Sequence, residues 1–465
     1  MLPLKKRVMR TVCVIAVLLG CASHWARAST DAVGVYAAYQ NSIFQVRIIE
    51  VASGSRASLG TGFVVADGSM LATNYHVIAS KIFKPDKYRI EIEKAGQTQT
   101  LKVLAVDVVH DLALLAVDNP ASVSLKEGAP VADLALANPD ASDVRATTVP
   151  ATTPSGKERL GEAFLLETAL PAKGETLYSL GNPHDIGMTV VEGNFNGLVE
   201  RRFIEQIHFS GAINPGMSGG PVVNNRSAVV GVNVATSGNQ IGFLVPVKAL
   251  SQLIQRYQLE GKVSDLIPVI TRQIAAHTGA MVETALATPW QTTLLGSVEV
   301  ATSPLPWLEC WGDSDRDKKK KTFTVARGCH SGHSLYVAHG FNTGYVEYEY
   351  LYFSADGWPS YSVYRHLADE TRFAVPANRG PEDQLTGYRC LDKEVVNARG
   401  LEARVSYCLR EYKKLAGLHD AFYMAVSVDR DREGVMSHYT LSGVTEATAQ
   451  KFLHHFAQVL AWPSS

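Results

Sequence analysis

Three residues of this chain, His76, Asp111 and Ser218, are of the types and in the order that serine-based amide hydrolysis uses. A neutral serine hydroxyl is a poor nucleophile. A histidine within hydrogen-bond reach removes its proton and later delivers it to the leaving amine. A buried carboxylate holds the imidazole in the productive tautomer and stabilises the imidazolium as it forms. Charge developing on the substrate oxygen needs two converging N–H donors, and the backbone of Gly216 and Ser218 in Asn214-Pro215-Gly216-Met217-Ser218-Gly219-Gly220-Pro221 is suited to supply them. Gly216 lets the chain turn there, and Gly219 and Gly220 leave room for a substrate backbone. Taken singly, each residue has an ordinary reading as a core histidine or a glycine-rich turn. The conjunction is what carries information: 35 positions separate His76 from Asp111, 107 separate Asp111 from Ser218, and each adjoins an apolar, strand-like run. The Ser, Asp, His order of nucleophile-elbow esterases is not the order found here.

Such residues must be presented by a rigid scaffold, and the sequence from 29 to about 262 reads as all-β. Residues 43–48 and 88–93 alternate in the manner of half-buried strands. Residues 63–65 and 70–72 flank Asp67-Gly68, a hairpin signal. Residues 103–106, 112–117 and 229–234 are apolar runs suited to buried strands of a sandwich or barrel. The stretch 139–172 is rich in Ala, Thr and Pro and reads as an insertion or long loop, with a helical pattern at 158–167. Residues 250–257 are helical in pattern, and 264–287 continue as a helical connector interrupted by Pro268. Beyond about 290 the pattern is α+β: strands at 344–353 and 422–428, and an amphipathic helix over 445–461 that begins near Thr445. No fixed-period repeat is present.

Residues 60–78, the run Asp111-Leu112-Ala113-Leu114-Leu115, Gly181-Asn182-Pro183, residues 212–221 and Ile241-Gly242-Phe243-Leu244-Val245-Pro246 together resemble the trypsin-like proteases of the bacterial HtrA/Deg type. The resemblance covers about residues 40–250. It implies two six-stranded β-barrels, with His76 and Asp111 on the first, Ser218 on the second and the active site between them. It also implies a specificity pocket whose base is Ala212, six residues before the nucleophile, with Ile213 and Val232, Asn233 and Val234 as walls. A pocket with alanine at its base lacks the carboxylate that a lysine or arginine side chain would need, so small or medium aliphatic residues are expected before the cut bond. Three features depart from the family pattern. Met217 stands where digestive zymogens carry an aspartate, so activation by a new N-terminus is not expected. No PDZ-like carboxylate-binding loop is recognisable after residue 262, and the segment between Asp111 and Gly181 is long.

The first residues read as an export signal: a basic start (Lys5, Lys6, Arg7, Arg10), an apolar run over 12–19, and Ala26-Arg27-Ala28 before Ser29. That run is too short for a comfortable transmembrane anchor. Leu18-Leu19-Gly20-Cys21 is a competing lipoprotein-type reading, which would leave a lipid anchor at Cys21. Between 29 and 262 there is neither cysteine nor tryptophan, whereas Cys310, Cys329, Cys390 and Cys408 all lie beyond. An even number of cysteines in an exported chain favours two disulfides. Four cysteines allow three pairings; Cys310–Cys329 with Cys390–Cys408 closes the two shortest loops and is favoured on that ground.

A net charge of −1 offers no field for nucleic acid, and 19% charged with 46% hydrophobic residues is a globular composition. The lysine run 318–321 is short, flanked by aspartates, and reads as a solvated turn. Asp313, Asp315 and Asp317 have calcium-loop spacing, but Lys318 stands where a turn glycine is needed. Cys329, His330 and His333 could hold a metal but read better as a half-cystine beside surface histidines. No metal or cofactor is expected. His110 is expected on the opposite strand face from Asp111 and so is a poor rival base. The whole chain therefore reads as a signal peptide (1–28), a trypsin-like protease domain (29–262), a connector (263–289) and a separate disulfide-bearing α+β domain (290–465). Its expected work is endopeptidase action on protein or peptide substrates in the periplasm or outside the cell. The competing function is an inactive, protease-like binding module acting through the C-terminal domain.

Overall fold

The computed structural model describes residues 32–94, 96–118, 159–236, 240–302 and 305–463. The export signal, Cys21 and most of the insertion lie outside them. After a short helix α1 (Ala32–Tyr39), six strands close a first antiparallel barrel: β1 (Ile43–Glu50), β2 (Arg56–Val65), β3 (Met70–Thr73), β4 (Tyr88–Lys94), β5 (Gln97–Asp107) and β6 (Leu112–Val117), in the order β1-β2-β3-β6-β5-β4. Helix α2 (Tyr75–Phe83) follows β3 directly. A second closed barrel has the order β10-β11-β12-β9-β8-β7, from β7 (Thr176–Gly181), β8 (Thr189–Leu198), β9 (Ile207–Phe209), β10 (Pro221–Val223), β11 (Val229–Thr236) and β12 (Gly242–Pro246).

The continuous apolar runs are explained by how the barrels meet. Side chains alternate across a strand. In β6, Ala113 and Leu115 point into the first barrel's own core, while Leu112 and Leu114 join Leu180, Val223, Val229, Val232 and Val245 of the second barrel. The second barrel's interior is filled by Leu177, Phe195, Ile207, Phe209, Ile213, Met217, Val222, Val230 and Leu244. Both strand faces are thus buried, so alternation between apolar and polar residues disappears. Helix α3 (Val247–Glu260) closes the shared side with Leu250, Leu253 and Ile254.

The helical pattern over 158–167 is not realised in its described part. Residues 159–167 run extended across both barrels: Leu160 N–H donates to Gly68 (2.7 Å), Phe164 N–H to Val64 (3.0 Å) and Glu167 N–H to Val229 (2.8 Å). Leu160 and Phe164 are buried against the barrels, and that anchoring outweighs local helix preference. Pro268 does not interrupt a helix either. It lies in the first turn of α4 (Ile267–Ala287), where a missing N–H costs nothing.

The C-terminal region is built on a seven-stranded antiparallel sheet of order β15-β16-β19-β23-β22-β21-β20. Its members, after a small hairpin of β13 (Thr292–Leu295) and β14 (Val298–Ala301), are β15 (Leu308–Asp317), β16 (Thr322–Ser331), β19 (Val346–Ala355), β20 (Arg389–Val396), β21 (Glu402–Glu411), β22 (His419–Ser427) and β23 (Glu433–Val444). The hairpin β17 (Leu335–Ala338) and β18 (Phe341–Thr343) stands apart from that sheet. Helix α5 (Ser360–Glu370) packs on the face bearing Leu351 and Phe353. Helix α6 (Glu446–Phe456), capped by the Thr445 hydroxyl, packs with α4 on the face bearing Tyr350 and Tyr439.

Cys310 is bonded to Cys329 and Cys390 to Cys408, each pair directly opposed across an edge hairpin of the sheet. The pairing favoured by short loops is therefore the one present. Asp313 and Asp315 lie along the exposed edge strand β15 rather than in a loop.

Candidate active site

His76 is the second residue of α2, immediately after β3, so the turn that starts the helix aims its ring out of the barrel end. Asp111 closes the turn before β6 with φ of 54°, a left-handed conformation uncommon for aspartate. Three hydrogen bonds hold that conformation. The Asp111 carbonyl accepts from Tyr75 N–H (3.1 Å) and the Asn74 side-chain amide (2.9 Å), and its carboxylate Oδ1 accepts from His76 N–H (2.8 Å). The other carboxylate oxygen lies 2.6 Å from His76 Nδ1. One carboxylate thus fixes both the position and the orientation of the imidazole. Burial disfavours the charged ring, but the Asp111 charge and hydrogen bond outweigh it, and His76 is raised above its ordinary value.

Ser218 sits in the turn before β10, and that turn is bound to the first barrel. Thr61 makes the joint: its N–H donates to the Ser218 carbonyl (2.8 Å), and its hydroxyl donates to the Gly216 carbonyl (2.7 Å) while accepting from Asn182 N–H (3.1 Å). Gly219, at φ of +85°, is wedged so closely against β2 that a Cβ there would lie 2.3 Å from the Thr61 carbonyl oxygen. Only glycine lets the serine turn approach the histidine-bearing barrel this far. Gly216 is also left-handed, with φ of +98°. Among the described residues neither Gly216 N–H nor Ser218 N–H has a hydrogen-bond partner, so both donors are free. The Ser218 hydroxyl donates to the Val234 carbonyl at 3.2 Å.

Residues 60–232 match the family model described as a trypsin-like peptidase domain. That stretch is a trypsin-like peptidase domain. Among curated relatives, the chain is similar to a "probable periplasmic serine endoprotease DegP-like" of Rickettsia prowazekii, 29% identical over 220 residues, which are 44% of this chain and 34% of the relative. It is also similar to "Protease Do-like 1, chloroplastic" of Arabidopsis thaliana, 24% identical over 241 residues, 49% of this chain and 44% of the relative. The chain thus spans well under half the length of these relatives. Of solved structures, the serine endoprotease from Yersinia pestis aligns at 21% identity with a TM-score of 0.35, covering 49% of this chain and 67% of that one.

Within the trypsin-like domain, the residues expected to wall a specificity pocket are not gathered in one cavity. Ala212 is exposed, whereas Ile213 is buried in the second barrel's core with Met217. Val232 points to the opposite side, into the layer between the barrels. Asn233 is fully buried and accepts from the Ser179 hydroxyl (2.9 Å), while its backbone clamps the nucleophile turn through Gly219 N–H and Gly220 O (both 2.9 Å). Val234 is half-buried and offers its carbonyl to Ser218.

His110 does not lie on a strand face at all. It occupies the turn before Asp111, where Asp107 holds it at 3.1 Å. Burial works against the Asp107 charge, yet the hydrogen bonds from His110 and the nearby Arg256 keep that carboxyl below its ordinary range. Sequence reasoning missed Thr61 and Tyr336. Thr61 lies in the Gly60-Thr61-Gly62 stretch that carried the resemblance, but nothing local marks it as the joint between barrels. The ring of Tyr336, from the C-terminal region, stands edge-on to His76 with centroids 6.0 Å apart. No signal in the sequence links positions so distant.

Proposed function

We propose that this protein is an exported serine endopeptidase of the HtrA/Deg type, with His76, Asp111 and Ser218 as its triad. The observation that carries the reading is the double grip of the Asp111 carboxylate on His76, beside a serine turn with two unpaired N–H donors. On substrate binding the Ser218 hydroxyl leaves the Val234 carbonyl, gives its proton to His76 Nε2 and attacks the scissile carbonyl carbon. Catalytic hydrogen bonds in free enzymes commonly tighten only at that stage. Gly216 and Ser218 N–H receive the oxyanion; removing one such donor costs about 3–4 kcal/mol in another serine protease of different fold. His76 then protonates the departing amine, and a water molecule repeats the sequence on the acyl-enzyme to release the acid and restore Ser218.

The substrates are proteins or peptides, and cleavage follows small or medium aliphatic residues: exposed Ala212, at the position the family resemblance gives the pocket base, offers no carboxylate to a substrate cation, while Ile213 and Val232, turned into the cores, do not wall that pocket. Export rests on the leader-like residues 1–28, with release into the periplasm or beyond; a periplasmic setting agrees with the names of DegP-like relatives. Residues 29–262 make the peptidase, 263–289 link it to 290–465, and the latter form the disulfide-bearing unit.

A fluorophosphonate probe tests the proposal. It should label wild-type protein at Ser218, and Ser218→Ala should lose peptide hydrolysis by a factor of about 10⁴ or more while keeping its fold. Hydrolysis by the alanine variant at the wild-type rate refutes the mechanism, and a wild-type protein that neither reacts nor cleaves favours the binding-module alternative.

A further inference from the structure

The C-terminal region is not hung from the peptidase by a tether; it grips both barrels on the His76 side. Toward the first barrel, the hydroxyl of fully buried Tyr75 donates to the Val337 carbonyl at 2.8 Å, and Lys414 Nζ reaches the Phe83 carbonyl at 3.0 Å. Leu335, Val337, Phe341 and Leu418 share one apolar core with Val46, Leu71, Tyr75 and Ile78. Helix α4 adds a third tie, since the Gln273 side chain bonds both the Val106 carbonyl (2.8 Å) and Val108 N–H (2.9 Å). Toward the second barrel, Arg202 bonds the Gly332 carbonyl, and the Phe203 ring meets Trp307 and His277 edge-on.

These anchors fix the segment 332–337 alongside the His76–Asp111 pair. In β17, Leu335 and Val337 are buried in that core, and the half-buried Tyr336 between them packs against its margin, edge-on to Tyr75 with centroids 6.5 Å apart. Its ring meets His76, remains half-buried, and its hydroxyl has no hydrogen-bond partner among the described residues. Burial and the nearby Asp111 charge both keep that hydroxyl protonated. A peptide attacked by Ser218 lies within reach of the His76 imidazole, and the Tyr336 ring stands against that imidazole.

Building on the serine-peptidase reading above, we propose that Tyr336 is a specificity-determining residue: the C-terminal region supplies an aromatic wall beside His76 that selects a large apolar or aromatic substrate residue near the cut bond. The wall is rigid because its neighbours in the strand are buried, so its effect falls on one substrate position. Contact with an aromatic partner favours an aromatic over a small substrate residue by about 3- to 10-fold.

The test uses the full chain and matched peptides in which each of the three residues on either side of the cut bond is in turn Phe or Gly. The Phe-to-Gly ratio of kcat/KM is measured at every position for wild type, Tyr336→Phe, Tyr336→Leu and Tyr336→Ala. The expected result is a 3- to 10-fold fall of that ratio at a single position in Tyr336→Ala, about the size of an aromatic contact. The other five ratios should hold, and Tyr336→Phe should behave as wild type. Ratios that stay unchanged, or that all change together, overturn the proposal, since a merely structural tyrosine cannot act on one position alone. If Tyr336→Ala does not fold, Tyr336→Leu, which keeps bulk without the ring, decides on the same ratios. A wild type that cleaves no peptide removes the serine-peptidase reading itself, and this inference with it.

Discussion

Replacing Tyr75 with phenylalanine removes a single oxygen from a fully buried side chain and leaves its ring in place, so no cavity opens. What is lost is the hydrogen bond to the Val337 carbonyl. That carbonyl has little alternative. The β17–β18 ladder pairs Tyr336 with Asn342 and Ala338 with Phe341, skipping Val337 at an irregularity, and the residue is fully buried. An orphaned buried carbonyl costs about 1–3 kcal/mol. Burial, Tyr336 and Asp111 all push the Tyr75 hydroxyl well above its ordinary value, so it donates at neutral and moderately alkaline pH and the cost is independent of pH there. For a cooperative unit of ~150–250 residues, with ~2–4 °C lost per kcal/mol, melting should fall by about 2–12 °C. Urea denaturation followed by tryptophan fluorescence reads the loss in the right place. Trp290, Trp307, Trp311, Trp358 and Trp462 all lie beyond the barrels, and residues 29–262 contain no tryptophan. An unchanged midpoint and slope would refute the view that Tyr75 pins the C-terminal region to the first barrel.

Catalysis by neutral His76 should weaken as pH falls through its raised pKa, placing the acid limb of kcat/KM above the ordinary 6.5; Asp111→Asn removes both raising influences, leaves burial, and should move the limb of its residual activity below 6.5. Gly216→Ala should cut kcat by about 10²–10³ with less effect on KM, because a Cβ at φ of +98° lies 2.5 Å from the Asn182 carbonyl oxygen and must swing the oxyanion donor away. His277, held down to about 4 by burial first and by the neighbouring His333 and His110, is neutral in the fold. The unfolded chain therefore binds the extra proton between pH 6.5 and 4, and stability should decline as pH falls through that window. In His277→Phe, denaturation measured across the same window should show a shallower decline, and an unaltered slope would count against the assignment.

Much of this protein was legible in its residues. The triad candidates, the barrel strands, the cap at Thr445 and the cysteine pairing all follow from local rules: side-chain alternation, helix capping, the cost of closing a loop, and the chemistry that a nucleophile requires. Two local rules misled. Residues 159–167 have a helical pattern yet lie extended, because Leu160 and Phe164 gain more by bridging two barrels than the segment gains by coiling. Pro268, read as a break, begins a helix, since only position within the helix decides whether its missing N–H matters.

What the residues by themselves determined was an all-β first region and, in His76, Asp111 and Ser218, candidates of the types and order that serine-based hydrolysis needs. Tertiary structure alone decided that Thr61 joins the barrels at the serine turn, that Val232 faces away from Ile213, and that Tyr336 reaches His76. The pocket residues were inferred from their distance along the chain to Ser218, but facing is set by strand alternation and by which layer each face meets. The composition change after residue 262 suggested two separate units, each with its own means of stabilisation. In the folded chain Tyr75, Ile274, Leu335 and Leu418 fill one core. Sequence patterning shows that a residue will be buried; only packing determines against what, because apolar burial is non-directional and any complementary surface satisfies it.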